Sequence, residues 1–318
     1  MVLPSTANAK PAAPDISPLA TFGGLGSGST IGPGGALYVT DGNAGSIDRI
    51  DPKTGAVSTY ADGLPTQILG IGGAMDVAFV GSTAYVLVTL VGGDIVGVGS
   101  FGDDIVGIYR LENDGSFTVI ADLGAWAEAN PPDSDIRYFI TTGVHYSLET
   151  FRNGFLVTDG HHNRVLHVTR DGHISDMVSF GNIVPTGLET SGATVYVAQT
   201  GPVPHPPEVG KVVSFTAQSS TATDVAAGAS MIVDVEMGRG HQLYALSQGD
   251  WDEAGGEGGP AFPNTGRLMR VEDDGTMTAV VDGQGNEIVL DRPTSLEFRG
   301  TTAYVVSLTG TVYTIKNI

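Results

Sequence analysis

Cysteine is absent from the 318 residues of this sequence, and basic residues are few. Without cysteine, the chain has no disulfide bond, no thiolate metal site and no cysteine nucleophile. Lysine and arginine number 15 against 35 aspartates and glutamates, which gives a formal net charge of −20 at pH 7. Because nucleic acids and anionic membranes attract basic surfaces, this balance excludes a nucleic-acid partner and favours neutral or cationic small molecules and metal ions. No apolar run approaches the roughly 18 residues of a spanning helix, so we expect no membrane insertion.

Glycine, by contrast, is abundant. The chain contains 46 Gly and 17 Pro, only 16% of its residues are charged, and 41% are hydrophobic. Such a chain is rich in turns and apolar enough to bury a large core, which places it outside the disordered class.

One short pattern recurs six times: an apolar stretch, a turn that usually contains glycine, and an aliphatic-Tyr-Val run or a close variant. The six runs are Leu37-Tyr38-Val39, Ala84-Tyr85-Val86, Phe155-Leu156-Val157, Val195-Tyr196-Val197, Leu243-Tyr244-Ala245 and Ala303-Tyr304-Val305. A repeat of about 40 to 50 residues built from strand and turn signals is typical of a β-propeller, in which each repeat forms one blade. The sequence therefore predicts an all-β fold, a six-bladed β-propeller of four-stranded antiparallel blades.

The last repeat stops at Ile318 after its third strand, whereas the other five continue into a fourth. Residues 18–24 have the pattern of the missing strand, so we predict that an N-terminal strand completes the last blade and closes the ring. Residues 16–318 then form a single propeller, preceded by a flexible segment over residues 1–15. That segment lacks the apolar core of an export signal. We expect a secreted or periplasmic protein from which the signal has been removed, and a cytoplasmic location is the alternative.

Three connections are longer than a propeller needs, namely residues 91–104, 123–142 and 248–265. Residues 123–130 are rich in Ala, Trp and Glu, which predicts a short helix. In a propeller, the loops from the second to the third strand and those between blades emerge on the same face, so the three insertions are predicted to crowd one mouth of the central channel.

The order of several motifs resembles the ScyD/ScyE-like propellers associated with scytonemin biosynthesis clusters. The motifs are Gly35-Ala36-Leu37-Tyr38-Val39-Thr40-Asp41, Met75-Asp76-Val77-Ala78-Phe79, Val91-Gly92-Gly93-Asp94, Ile120-Ala121-Asp122-Leu123, Pro185-Thr186-Gly187 and the proline-rich residues 200–207. The resemblance implies a six-bladed, usually exported protein of poorly defined activity. The chain departs from that family at Gly143-Val144-His145-Tyr146-Ser147 and Gly160-His161-His162-Asn163, and in carrying glutamate on four strands where alanine is usual.

Histidines accumulate in the third and fourth repeats. His145 opens the first strand of the third blade, His161 and His162 follow its second strand, and His205 lies in the equivalent loop of the fourth blade. Imidazoles bind zinc and act as general bases near neutral pH, so we predict His145, His161 and His162, with the adjacent Tyr146, as catalytic residues at the loop-rich mouth. Asp159 would orient them and His205 would bind ligand. The alternative is that these are solvated loop histidines.

Carboxylates recur at one position of the innermost strands. Alignment on the aliphatic-Tyr-Val runs places Glu149, Glu189, Glu236 and Glu297 at matched positions, with Ile31 and Ala78 completing the ring. Like charges on the channel axis must take up protons or a cation, so we predict these glutamates as metal ligands, with calcium or zinc as the ion. The alternative is a water-filled channel with separated, hydrated glutamates. Asp76 and Asp234, at equal positions of the second and fifth blades, are predicted to bind neighbouring backbone N–H groups.

The loop containing Asp250 and Trp251 is predicted to cover the same mouth and contact a ligand, since an indole face beside acids suits a cationic or polar molecule. The alternative is a solvated loop without a ligand. Together these features predict an exported propeller with a small-molecule site, acting as a metal-assisted hydrolase or lyase on a natural-product-like substrate. The alternative is a non-catalytic scaffold that binds a ligand or a protein. A lactonase-like calcium enzyme is disfavoured because Tyr146, Thr186 and Thr294 stand where axial Asn ligands would be expected. The oligomeric state is not indicated.

Overall fold

The computed structural model describes residues 12–133, 136–202, 205–206, 209–219, 221–256 and 259–318. Most of the predicted flexible segment, residues 1–11, lies outside this part of the chain, as do residues 203, 204 and 207 of the proline-rich motif. Within the described residues, no helix is long and apolar enough to cross a membrane.

Strands make up almost all of the regular structure. In the first half of the chain they are β1 (Asp15–Thr21), β2 (Gly26–Ile31), β3 (Leu37–Asp41), β4 (Ser46–Ile50), β5 (Val57–Asp62), β6 (Gly73–Val80), β7 (Thr83–Thr89), β8 (Gly92–Ile95), β9 (Gly99–Asp103), β10 (Gly107–Leu111), β11 (Phe117–Asp122), β12 (His145–Phe151), β13 (Gly154–Asp159), β14 (Arg164–Thr169) and β15 (Ile174–Ser179). In the second half they are β16 (Val184–Ser191), β17 (Thr194–Gly201), β18 (Gly210–Thr216), β19 (Thr223–Ala229), β20 (Ile232–Met237), β21 (Leu243–Ser247), β22 (Gly266–Val271), β23 (Met277–Ala279), β24 (Val289–Leu290), β25 (Pro293–Arg299), β26 (Thr302–Ser307) and β27 (Thr311–Lys316).

These strands form six antiparallel blades, each built on a path of four strands, which confirms the predicted six-bladed β-propeller. The innermost strands are β2, β6, β12, β16, β20 and β25, and each contacts the innermost strand of the next blade around the ring. The short strand β24 adds to the fifth blade beside β22, and β8 and β9 form a separate hairpin. Turns between the outer strands carry the predicted Asp-Gly pairs, and Gly115 and Gly172 both adopt φ +87°, a conformation that glycine adopts without strain.

The N-terminal strand closes the ring, as predicted. β1 pairs antiparallel with β27, with Asp15 opposite Lys316 and Thr21 opposite Thr311. The strand begins and ends three residues earlier than residues 18–24, the range predicted for it. Because β1 takes the outermost place in the last blade, its pairing covers the outer edge of β27 that would otherwise accept strands from other molecules.

The hydrophobic core lies between successive blades, where their faces stack. The aliphatic-Tyr-Val runs supply its centre, because Val39, Val86 and Val157 are fully buried. Aromatic rings bridge neighbouring blades, as where Tyr85 of the second blade packs 4.7 Å from Phe155 of the third. Full burial of each such side chain contributes about 1.5–3 kcal/mol, so the repeated run is the main stabilising element of the sequence.

The predicted short helix is present as α1 (Leu123–Ala129). Asp122 caps its N-terminus by accepting a hydrogen bond from the backbone N–H of Ala125 at 2.8 Å. Short 3₁₀ turns occur at Pro33–Gly35, Arg239–His241 and Glu253–Gly255. Helix α1 presents Trp126 to the guanidinium of Arg164, which lies 4.6 Å from the ring centroid, and so ties the helix to the third blade.

Candidate functional site

A cavity of about 340 Å³ opens at one end of the central channel. Its walls are formed by the first residues of the innermost strands and by loops that emerge at the same end. Polar and ionisable residues of the lining include Asp76, Tyr146, Glu149, Thr200, His205, Asp234, Glu236, Gln248 and Glu297. The apolar residues Leu25, Ile71, Met231 and Leu308 also line it, so the cavity combines a largely apolar wall with an acidic side.

The strand register confirms the alignment of the four glutamates. Glu149 pairs with Leu156, and Glu189, Glu236 and Glu297 pair with the tyrosine of their own repeats, Tyr196, Tyr244 and Tyr304. Ala78 takes this position in the second blade, opposite Tyr85. In the first blade the position belongs to Thr30, opposite Tyr38, and the assignment of Ile31 was wrong by one residue because the 3₁₀ turn at Pro33–Gly35 lengthens the connection to β3.

The glutamates interact with one another rather than standing apart as separate hydrated side chains. Glu149, Glu236 and Glu297 line the cavity, and Glu189 is hydrogen bonded to Glu236. Burial, with the charge of Glu189 second, raises the pKa of Glu149 to about 8. Burial and the neighbouring carboxylates also raise the pKa values of Glu236 and Glu297 well above their usual range. At neutral pH this side of the cavity therefore holds protons, or a cation in their place.

Asp76 and Asp234 bind backbone N–H groups, as the sequence predicted, and each also links its blade to the next. Asp76 accepts hydrogen bonds from the backbone N–H groups of Val77 at 2.8 Å and of Leu148, in the next blade, at 2.7 Å. Asp234 does the same with Val235 at 2.9 Å and Leu296 at 2.8 Å. Burial nevertheless raises the pKa of Asp234 to about 7, with Glu189 adding to the effect, so this group titrates near neutrality beside the cavity.

Metal binding by the glutamates is not tested by the geometry. Among the described residues, no group of three or more His, Asp or Glu side chains is arranged to hold a metal ion. Glu149, Glu189, Glu236 and Glu297 provide oxygen donors, which suit calcium better than zinc. Their assignment as metal ligands stays a prediction.

None of the three predicted catalytic histidines lines the cavity, and two of them, His145 and His162, lie against the carboxylate of Asp159. Asp159 is fully buried, and its carboxylate lies 3.1 Å from His162 Nδ1, 3.2 Å from Arg164 Nε and 4.0 Å from His145 Nε2. It also accepts hydrogen bonds from the backbone N–H groups of Val144 and His162. Burial alone would raise the pKa of Asp159, but His145, His162 and Arg164 hold it well below its usual range.

This histidine cluster anchors the chain segment that precedes the third blade. His161 Nε2 accepts hydrogen bonds from the backbone N–H groups of Phe139 at 2.8 Å and Ile140 at 3.0 Å, and His162 Nε2 lies 3.3 Å from the Ile140 carbonyl oxygen. Burial lowers the pKa values of both His145 and His161 to about 4, so both are neutral at pH 7. The alternative of solvated loop histidines does not hold for His145 and His162, which are buried, whereas His161 is half-buried with its Nε2 bound to the backbone.

Two of the residues predicted to be catalytic or ligand-binding, Tyr146 and His205, reach the cavity. Tyr146 lines it, and burial raises the pKa of its hydroxyl to about 12, which keeps the group protonated. His205, which is 6% exposed, also lines the cavity and packs edge-on against Trp251, with 5.9 Å between the ring centroids. The predicted grouping of His205 with the other three histidines therefore does not form. Asp250 is exposed, and neither it nor Trp251 is among the residues that line the cavity.

Unpartnered polar atoms gather beside His205. Among the described residues, the buried atoms His205 Nδ1, Thr200 Oγ1 and Trp251 Nε1 have no hydrogen-bond partner. Burial lowers the pKa of His205, although hydrogen bonding to the backbone of Thr200 and Pro202 opposes the shift, so the imidazole is neutral at pH 7. Buried polar groups normally have partners, and such orphans mark a place where a ligand or a water supplies them. Sequence reasoning missed Thr200 and Gln248, because isolated polar residues after a strand carry no distinctive pattern.

Comparisons with known proteins agree on the architecture. No protein-family model matches the sequence, and no curated protein matches it. Among solved structures, a gluconolactonase from Xanthomonas campestris is 13% identical with a TM-score of 0.62, over 95% of this chain and 89% of the other.

Two further structures are similar. Virginiamycin B lyase from Staphylococcus aureus, as a catalytically inactive histidine-to-alanine variant with quinupristin, is 13% identical over 96% of this chain and 100% of the other, with a TM-score of 0.56. The PQQ-bound aldose sugar dehydrogenase from Streptomyces coelicolor is 13% identical over 97% of this chain and 99% of the other, with a TM-score of 0.59. At these identities the likeness establishes that the chain is a six-bladed β-propeller of a fold shared by enzymes of different chemistry, and it gives no support to the narrower resemblance to ScyD/ScyE proteins.

Proposed function

We propose that this chain is a hydrolase or lyase that binds a small, natural-product-like molecule in the cavity and transforms it by acid–base chemistry. The observation that carries the proposal is the presence, in one cavity, of groups whose pKa values are displaced in opposite directions. His205 is held neutral, while Glu149 and Asp234 have pKa values of about 8 and about 7. Pairs of groups pushed apart in this way are the usual arrangement of a general base and a general acid.

The roles follow from the protonation states. Neutral His205 is the base, because its Nδ1 has no other partner and is free to accept a proton. Protonated Glu149 is the acid that would donate to a leaving oxygen, and the Tyr146 hydroxyl donates a hydrogen bond to the developing negative charge. His145, His161 and His162 act one step away, by holding the chain that leads into Tyr146.

The charge of the protein indicates the kind of substrate. The net charge of −20 would repel an anionic substrate. Five carboxyl groups line the cavity, namely Asp76, Glu149, Asp234, Glu236 and Glu297. A neutral or cationic molecule fits this field. Two of the similar propellers are by name a lactonase and a lyase, which supports a search among small cyclic esters and related natural products. Export and the ScyD/ScyE type are part of this proposal, supported by the sequence motifs.

The test is turnover of a panel of lactones, cyclic depsipeptides and glycosides by the purified protein and its variants. Loss of one general acid or base typically costs 10²–10⁴-fold, so for a substrate that is turned over we expect His205→Gln to lower kcat/KM by roughly 100-fold or more. Tyr146→Phe should lower kcat more than it changes KM. His173→Gln changes an exposed histidine on the third blade and is the matched control. Unchanged rates in both site variants would rule out the assigned roles.

A non-catalytic scaffold is the second candidate, and one observation favours it. Several apolar side chains are exposed beside the mouth of the cavity, among them Ile68, Val96 and Val98. Exposed apolar patches mark binding surfaces for proteins, membranes or ligands. Two results together would establish the scaffold over the enzyme. The wild-type chain would capture a defined protein and lose it when these side chains are replaced, and it would turn over no substrate.

A further inference from the structure

Six apolar side chains form an exposed surface beside the cavity, which we call the apolar shelf: Ile68, Leu69, Ile71, Val96, Val98 and Phe139. Val98 is 81% exposed and Val96 56%, so both present most of their surface to solvent. They come from three segments that are distant in sequence: the loop before β6, the tip of the β8–β9 hairpin and the segment before β12. Such a gathering is more than the scattered apolar exposure that any surface has.

Direct contacts join these three segments. Ile68 lies over the hairpin so closely that a Cβ placed on Gly102 would come within 2.7 Å of its Cδ1 atom. The backbone N–H of Val96 donates to the Phe139 carbonyl at 2.8 Å, and Ile95 forms a β-bridge with Ile140. The hairpin is thus fixed to both neighbouring segments, and the shelf is one surface rather than three separate exposures.

The shelf is continuous with the cavity wall. Ile71 belongs to both, since it is 38% exposed and also lines the cavity. Beneath the hairpin, Leu90, Ile140 and Val144 form a small core against which Tyr146 packs, and Tyr146 lines the cavity on its other side. Ile71 and Tyr146 therefore connect the cavity to the shelf through apolar side chains and an aromatic ring.

The charges around the shelf argue against a membrane surface as its occupant. The exposed carboxylates Asp94, Asp103 and Asp104 lie on or beside the hairpin, and the whole chain carries a net charge of −20. Anionic lipid headgroups would be repelled by this field. An uncharged chain of methylene groups would not be repelled by these carboxylates.

We propose that the substrate is amphiphilic, with a neutral or cationic polar head in the cavity and an apolar chain that lies on the shelf. This inference rests on the proposed function for the identity of the site, but it makes its own claim about substrate class. Full burial of one methylene group is worth about a fourfold change in affinity, and a chain that lies on an open surface buries about half of each group. We therefore expect affinity to rise about twofold for every methylene added to the chain.

The probes are n-alkylamines of six, eight and ten carbons, titrated calorimetrically into the wild-type protein. The dissociation constant should fall about 16-fold from six to ten carbons, following the twofold step per methylene. A shelf variant, Ile68→Ser/Leu69→Ser/Val98→Ser, should flatten this dependence and leave the affinity of the shortest amine nearly unchanged. The control variant Val57→Ser/Val281→Ser/Val289→Ser removes three exposed apolar side chains elsewhere and should keep the wild-type slope.

Three results would overturn the proposal: no binding of any amine, a chain-length dependence that survives in the shelf variant, or one that the control variant abolishes as well. Co-sedimentation of the protein with phosphatidylcholine vesicles, together with a flat chain-length dependence, would assign the shelf to a membrane surface instead. Because the titration measures binding alone, a steep slope with no catalysis would refute the proposed reaction and leave the substrate class standing. Turnover of short, polar substrates, with an affinity for amines that does not depend on chain length, would refute the substrate class and leave the proposed reaction standing.

Discussion

Glu149→Gln tests the carboxyl cluster most directly, because glutamine keeps the shape of the side chain but cannot ionise. In the wild-type protein, burial and Glu189 raise the pKa of Glu149 from 4.5 to about 8. The folded state therefore keeps this proton until about pH 8, whereas the unfolded chain releases it near pH 4.5. The stability that the group contributes is fully present below about pH 4.5 and is lost as the pH rises towards 8.

The magnitude follows from the shift. A displacement from 4.5 to about 8 corresponds to about 5 kcal/mol of unfolding free energy between the two ends of that range. The Glu149 side chain keeps partial contact with water in the channel, and solvent screening lowers the effect, so we expect about 2–3 kcal/mol. The charge of Glu149 also helps to raise the pKa of Glu297, so the variant lowers the pKa of Glu297. This second change further weakens the fall of the unfolding free energy with rising pH.

The assay is urea unfolding of both proteins at half-unit steps from pH 5 to pH 9, followed by tryptophan fluorescence. The wild-type free energy of unfolding should fall with rising pH, and the Glu149→Gln variant should fall by about 2–3 kcal/mol less over the same range. Glu253→Gln replaces an exposed glutamate and should run parallel to the wild type. Parallel curves for the wild type and Glu149→Gln would refute the reasoning, because the carboxyl would then ionise in the folded protein as it does in the unfolded chain.

Three further predictions concern the histidine cluster and the metal. Arg164→Met should lower the unfolding free energy by about 3–5 kcal/mol, because it leaves the buried Asp159 carboxylate unpaired. Adding Asp159→Asn to this variant should recover part of the loss. If urea unfolding shows that the losses of the two single variants simply add in the double variant, the prediction is wrong. In the wild-type protein, folding lowers the pKa of His145 from 6.5 to about 4, so the protein loses stability as the pH falls from 6.5 towards 4. His145→Leu removes this loss, and its effect on the unfolding free energy should be about 2 kcal/mol more favourable at pH 5 than at pH 8. An equal effect at both pH values would be inconsistent with a neutral buried imidazole. If Glu236 and Glu297 hold calcium, elemental mass spectrometry should find it in stoichiometric amount and chelation should lower the Tm, whereas protein free of metal with an unchanged Tm would exclude calcium.

The sequence by itself determined the architecture. The aliphatic-Tyr-Val run is a local signal that recurs in every blade, and Asp-Gly turns recur in several blades. A wrong assignment of strands in one repeat is therefore corrected by comparison with the other repeats. The missing last strand implied closure by the N-terminus, and β1 is paired with β27. The same periodicity placed Glu149, Glu189, Glu236 and Glu297 at one level of the innermost strands, where alternation fixes which side chains face the channel.

The tertiary structure alone decided which polar residues reach the cavity. His161 and His205 both follow the second strand of a blade, yet one binds the backbone at Phe139 and the other lines the cavity. The difference arises because the segment before β12 lies against His161, whereas His205 packs against Trp251 of the next blade. Loop conformation also moved the matched position in the first blade to Thr30. These outcomes depend on contacts between segments distant in the chain, and the repeat pattern carries no information about such contacts.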